Sequence, residues 1–213
     1  MAFDFKKEYK EFYLPPRKTG LLDVPQMNFI AVRGAGDPNV AESAYRRALQ
    51  VMYSVVYTIK MSKLTDHRMD GYFDYVVPPL ESFWKYEGGS EFDPLHKDAL
   101  QWIAVIRLPD FVTEEEFAWA VDATTRRKQI DCTGAEFLTL TEGLCVQCMH
   151  IGSYDDEPET VRRMQAFLSE NGLVPDFSET RLHHEIYLSD PRKTLPEKLK
   201  TVLRLPVRRM DDV

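Results

Sequence analysis

The chain is expected to fold as an α+β domain. Duplicated ββαββ-type halves would form an antiparallel sheet with helices on one face and a central ligand cleft. First, "LLDVPQMNFIAVRGAGDP" (21–38) and "FLTLTEGLCVQCMHIGSYDDEP" (137–158) share a pattern of two short β-rich runs joined at a turn, then glycine, then an acidic residue before proline. Second, apolar residues at helical spacing follow in both places. Third, each copy ends with two more β-rich runs, and the last run of each carries "RLP", at 107–109 and 204–206. Antiparallel strands with helices gathered on one side are an α+β arrangement.

Residues 1–17, "MAFDFKKEYKEFYLPPR", form a charged N-terminal arm. It lacks the apolar stretch of a signal peptide. Seventeen residues are also too few for a DNA-binding domain. Residues 18–213 form a single domain of two pseudo-symmetric halves, about 18–111 and 135–209. In the first half, Asp37 before Pro38 is a candidate helix N-cap. Ala41, Ala44, Tyr45, Ala48, Leu49, Met52 and Val56 then recur at helical spacing. Strands are expected over 71–88 and 102–111. "TEEEFAWAVDATTRRK" (113–128) is a linking helix, opened by a capping box of Thr113 and Glu116. In the second half, the acidic residue before Pro158 precedes a helix through Val161, Met164, Phe167 and Leu168. Asn171-Gly172 ends it. Strands follow over 180–193 and 200–209.

With 213 residues, 44% of them hydrophobic, the chain has ample material for one core. The net charge of −7 argues against nucleic acid as a partner, since phosphate binding needs clustered Lys and Arg. The Arg-rich end, "RLPVRRMDD" (204–212), reads as solvated surface. No run approaches the roughly 18 apolar residues of a membrane span. Three cysteines cannot all pair within the chain, which fits reduced thiols and a cytoplasmic location. Cys145 and Cys148 form a C-x-x-C within a strand, where residues three apart point to opposite faces, so a redox pair is not expected. G-x-S-x-G, P-loop and Rossmann patterns are missing.

The chemistry concentrates in "RLHHEIYLSDPRK" (181–193). Strand alternation puts His183, Glu185 and Tyr187 on one face, and Leu182, His184, Ile186 and Leu188 on the other. The second, mostly apolar set is expected to meet the helices, which leaves Glu185 pointing into the seam between halves. In the first half its counterpart is Tyr75, flanked by Phe73 and Val77. Phe83, Trp84, Tyr86, Trp102 and Trp119, with Phe117 near the last, fall where a cleft would be lined. His183 and Glu185 share a face, but only His150 could add a third ligand, so neither a metal nor a cofactor is expected. The same residues also fit a solvent-facing carboxylate and a purely structural set of aromatic rings.

"PPLESFWKYEGG" (78–89) is similar to the proline–Leu-Glu-x-x-Trp segment of the GyrI-like small-molecule-binding family. "HHEIYLSDPRK" (183–193) is similar to that family's strand with a central Glu and trailing Asp-Pro. The resemblance spans roughly Lys18 to Arg209 and implies two halves around a ligand cavity. Members are often fused to a DNA-binding helix-turn-helix and sense drugs. Stand-alone members with the Trp-bearing extra helix resemble cyclopropanoid cyclopropyl hydrolases, which open the strained ring of DNA-alkylating natural products of the yatakemycin and CC-1065 type.

That chemistry needs a base for water and a donor for the distant carbonyl oxygen. Glu185 is the candidate base, since an apolar pocket favours its neutral form. Tyr75 is the candidate to hold the water or donate to the carbonyl, and Tyr187 is a second donor. Trp84, Trp102 and Trp119 would clasp a flat aromatic ligand, with Phe73 beside them, and His183 would orient Glu185. The rival expectation is a non-catalytic protein that sequesters aromatic, often cationic, drugs by pairing the cation with Glu185. A third is a partner-binding inhibitor of DNA gyrase.

Overall fold

The computed structural model describes residues 2–40, 43–86 and 100–211. Ala41, the side chain of Tyr86 and the end of the 71–88 run lie outside the described residues.

The arm contains β1 (Phe3–Asp4) and two short helical turns, α1 (Phe5–Glu8) and α2 (Lys10–Tyr13). Then come β2 (Gly20–Ala35), α3 (Ala44–Met61), β3 (Tyr75–Val76), β4 (Leu80–Tyr86), β5 (Leu100–Arg107) and α4 (Glu114–Lys128). The remainder is β6 (Glu136–Ile151), α5 (Glu157–Glu170), β7 (Leu173–Pro175), β8 (His183–Tyr187) and β9 (Lys200–Arg209). The large sheet is antiparallel, in the order β6-β2-β5-β4-β8-β9-β7, and β9 also pairs with β6. Six strands therefore close into a ring, with α3, α4 and α5 outside it.

The two runs expected in 21–38, and again in 137–158, are each one 16-residue strand. Pro25 and Gly143 look like breaks in the sequence, but they sit almost opposite each other in the β2–β6 ladder, where Val24 faces Gly143 and Gln26 faces Thr141. β2 passes from β6 to β5 along its length, and β6 passes from β2 to β9, so each long strand serves both halves. The run at 71–88 is instead broken. Pro78 and Pro79 supply no N–H, and β3 and β4 lie on either side of them.

Helix α3 is capped by Ser43, whose Oγ accepts from the Arg46 N–H at 3.2 Å, so Asp37 is not its cap. Asp37 instead accepts from the Asn39 backbone in a turn. Tyr45, Ala48, Met52, Val55, Val56 and Ile59 give α3 one continuous buried stripe, each large side chain worth roughly 1.5–3 kcal/mol. Helix α4 starts where Thr113 accepts from the Glu116 N–H, and packs on α3. Helix α5 has Pro158 in its first turn and ends before Gly172 at φ 64°. Cys145 and Cys148 are buried thiols in separate apolar clusters on opposite faces of β6.

The faces of β8 are the reverse of the expectation for its apolar set. Leu182, His184, Ile186 and Leu188 pack inside the ring and beneath the arm, against Phe83, Phe5 and Tyr13. Helices cover the strands on either side, while the arm supplies the apolar cover for this face. Arg204 is a second correction. It is 2% exposed rather than solvated, because the ring interior holds a charged cluster that needs it. Its Nη1 donates to Glu142 Oε1 at 2.5 Å and its Nη2 to the Phe12 carbonyl at 3.0 Å. His184 Nδ1 bonds Glu142 Oε2 at 3.0 Å, and its Nε2 lies 2.9 Å from Glu81 Oε2. Burial alone would push the Glu142 carboxyl up, but Arg204 and His184 outweigh it and hold it down at about 2. Tyr13 donates to Glu81, and the Arg107 guanidinium lies 5.0 Å and 4.6 Å from the Phe5 and Tyr9 ring centres, so the same cluster anchors the arm.

Candidate functional site

The other face of β8 meets the seam between α3 and α5. His183 pairs across to Trp84 and Glu185 to Ser82, which puts all four side chains on that face. Glu185 is 7% exposed. Tyr187 Oη donates to Glu185 Oε2 at 2.7 Å, and Trp84 Nε1 donates to Tyr187 Oη at 3.1 Å. The donors thus run from indole to phenol to carboxylate, an order that requires an accepting oxygen at its end. His183 Nε2 lies 3.2 Å from the second oxygen, Glu185 Oε1.

Ser43 starts α3 early enough to bring Tyr45 onto this seam. Its ring stacks on Trp84 at 5.8 Å and meets Trp102 edge-on at 5.0 Å. Its hydroxyl bonds Ser82 Oγ at 2.7 Å. Trp102 is 3% exposed, and its Nε1 has no hydrogen-bond partner. From the turn before α5, Tyr154 packs edge-on against Tyr187, and Glu157 follows as the first residue of the helix. Burial first, then the Glu185 charge, raises the ionisation of Tyr187 and keeps it a donor. Burial raises Tyr45 as well, and takes Tyr154 to about 12. A carboxylate held this way can accept a proton or pair with a cation.

The structure therefore brings together Glu185, Tyr187, His183, Trp84 and Trp102. Tyr75 does not join them. It is buried on the arm side among Phe5, Phe73 and Phe111, because its strand pairs with β1 and not with β8. Phe73 is 38% exposed beside it. Trp119 stacks on His67 at 3.8 Å, held there by α4 packing on α3 and by the bond between His67 and Glu116. His150 is engaged by Thr160 and the Ser153 carbonyl, away from His183. Among the described residues no group of three His, Cys, Asp or Glu converges as a metal site would need. Sequence reasoning missed Tyr45, Tyr154 and Glu157 as site residues. Tyr45 looked like one more apolar helix position, and Glu157 like a helix-start residue before Pro158.

A cavity of about 130 Å³ opens at the strand ends beside Trp102, bordered by Arg33, Lys85, Gln101, Glu179 and Leu182. Glu185 does not line it. It is smaller than the roughly 300–1,000 Å³ that drug-sized ligands occupy. The Glu185 seam is filled by its own rings, Tyr45 on Trp84 and Tyr187 over the carboxylate.

A family model described as the GyrI-like small molecule binding domain matches residues 19–208. The chain belongs to the GyrI-like family. A protein from Listeria innocua, described as an uncharacterized conserved protein, is 49% identical, with a TM-score of 0.91 over 97% of this chain and 100% of that one. A protein described as a hydrolase from Listeria innocua is 47% identical, with a TM-score of 0.88 over 97% and 100% of the two chains. The EcmrR C-terminal domain, at 12% identity and a TM-score of 0.55 over 90% of this chain and 98% of that one, shares the GyrI-like fold. No curated protein matches the chain. Among the described residues, no helix of this GyrI-like domain is long and apolar enough to cross a membrane.

Proposed function

We propose that this GyrI-like domain is a hydrolase that opens the cyclopropane ring of cyclopropanoid DNA-alkylating compounds, with Glu185 as the base. The observation that carries this reading is the buried Glu185 carboxylate, fixed by Tyr187 and walled by Trp84 and Tyr45. A protein called a hydrolase, 47% identical over its whole length, supports the reaction class.

Glu185 takes one proton from water as the water oxygen bonds to the ring methylene carbon. The bond from that carbon to the spiro carbon breaks. Its electron pair turns the dienone into a phenolate, which then receives the proton from Glu185. The net change is addition of one water. A positioned base of this kind contributes about 10²–10⁴-fold in rate, and ring strain drives the rest. Tyr187 holds the carboxylate, and His183 flanks its other oxygen. The partnerless Trp102 N–H is a donor available to the ligand carbonyl, a role for which Tyr75 is misplaced. Tyr45 must swing off Trp84 to admit a flat ligand between the halves, 18–111 and 135–209, while Tyr187 stays on the carboxylate. Detoxification in the cytoplasm is the biological sense of the reaction.

The second reading is sequestration of aromatic, often cationic, drugs without chemistry. An acidic group surrounded by rings favours it equally well. The test is product: incubation with a spirocyclopropyl dienone, followed by mass spectrometry. Catalytic formation of the hydrated compound, abolished in Glu185→Gln while binding persists, is the expected result. Stoichiometric binding without hydrated product favours sequestration. Unchanged turnover in Glu185→Gln removes the role given to Glu185.

A further inference from the structure

The seam holds a second carboxyl group that the step above does not use. Glu157 is 5% exposed, and its Oε1 meets no donor. Its charge and that of Glu185 act on each other, and Tyr154, three residues before Glu157, packs edge-on against Tyr187, the donor to Glu185. Two carboxylates cannot bond to each other unless one keeps a proton, and in a dry seam two charges repel strongly.

The groups acting on the pair come from several elements, while His150 on β6, opposite Thr201, has both ring nitrogens engaged by Thr160 and the Ser153 carbonyl. Tyr187 and His183 come from β8, and Thr201 from β9. Tyr154 and Asp155 come from the turn before α5, Tyr45 from α3, and Asp190 from beyond β8. Among the described residues His183 is the one basic group in this set, and it lies against Glu185, not Glu157. The Thr201 hydroxyl is a neutral donor facing Glu157, yet its Oγ1 makes no hydrogen bond.

One effect runs the other way. Glu157 opens α5, and a helix N-terminus favours a negative charge by a few-fold, at most about thirty-fold. Full burial disfavours the charge by up to about 10³–10⁵-fold, and the adjacent Glu185 charge adds to that. The proton therefore stays. Burial first, and Glu185 second, push the Glu157 ionisation well above the ordinary carboxylate range.

We propose that Glu157 and Glu185 share one proton, and that Glu157 is the positioning residue that keeps the Glu185 carboxylate turned to the seam. Only the catalytic consequence rests on the hydrolase reading. Glu157 then donates to Glu185 alongside Tyr187, fixing the carboxylate while a lone pair remains for water. The Glu157 proton is not consumed in the step.

The experiment has two arms. In the first, ligand-free protein carrying ¹³C at glutamate side-chain carboxyls is titrated by NMR. One carboxyl is expected to stay protonated through neutral pH. That resonance vanishes in Glu157→Gln, and in Glu185→Gln it releases its proton at least about tenfold more readily, because the neighbouring charge is gone. Glu157 titrating with the surface glutamates in the unaltered protein overturns the shared proton. In the second arm, hydrolysis of the spirocyclopropyl dienone is followed. Glu157→Gln keeps an N–H donor and is expected to hold kcat within about threefold. Glu157→Ala is expected to lose about tenfold or more in kcat with KM little changed. An alanine variant as fast as the unaltered protein overturns the positioning role. If the unaltered protein hydrolyses nothing, the hydrolase reading falls alone, and the titration still decides the shared proton.

Discussion

Replacing Arg204 by methionine keeps an unbranched apolar stem but removes the guanidinium. In the folded protein that group gives Glu142 a 2.5 Å bond, gives Gln147 Oε1 bonds at 3.1 and 3.2 Å, and gives the Phe12 carbonyl one at 3.0 Å. Glu142 would keep His184 as its one charged partner, at 3.0 Å. Removing one member of a buried ion pair costs about 3–5 kcal/mol, mostly from the charge left behind. For a domain of this size each kcal/mol moves Tm by about 2–4 °C, so a fall of roughly 6–20 °C is expected. Thermal unfolding followed by far-UV circular dichroism measures it, and urea unfolding gives the free energies, for Arg204→Met, Glu142→Gln and the double variant. The double variant should cost less than the sum of the singles, since it leaves no bare charge. An Arg204→Met protein within about 1 kcal/mol of the original, at unchanged m, would refute a buried, charge-balancing role.

The cluster also sets an acid limit. Glu142 ionises at about 2 in the folded protein against an ordinary 4.5, so its stabilisation of roughly 3 kcal/mol is complete above about pH 4.5 and is lost as pH falls toward 2. Urea midpoints from pH 6 to 2.5 should drop, and Glu142→Gln should flatten the drop; a flat profile in the unaltered protein counts against it. Deleting residues 1–17 uncovers Tyr75, Ile186 and Val202 and loses two buried rings, Phe5 and Tyr13. The cost should be about 3–6 kcal/mol, with new binding of a hydrophobic dye; unchanged melting would show that the arm does not hold the ring. A Cβ added at Gly34 would clash with the Trp102 ring, so Gly34→Ala should cost about 1–3 kcal/mol in thermal unfolding and displace the indole. Stability equal to the original would mean that the indole yields freely.

Periodicity carried much of the fold. The stripe of α3, the Thr113 cap of α4 and the stop at Gly172 all depend on neighbours in sequence, and alternation in β8 separated Glu185 from His184 correctly. Which face met which layer did not follow, because alternation has no sign. The arm could satisfy the apolar side of β8 as well as a helix could. Pro25 and Gly143 misled for a related reason: each breaks a pattern alone, yet together they form one irregular rung. Arg204 resembled its neighbours Arg208, which is half-buried, and Arg209, which is exposed, and its burial depends on Glu142, 62 residues away. In the seam, Glu185, Trp84 and Tyr187 were legible because they crowd two short motifs. Tyr45 and Glu157 reach it from helix starts whose approach only the tertiary packing determines.

The tryptophans are divided in a way an experimenter can exploit. Trp84 and Trp102 both touch Tyr45 beside Glu185, whereas Trp119 lies flat against His67 on α4. The chain has three tryptophans, so two thirds of its indoles look onto the seam and the remaining one is a removable background. Intrinsic emission in a Trp119→Phe protein would then register the arrival of a ligand directly, with no dye attached.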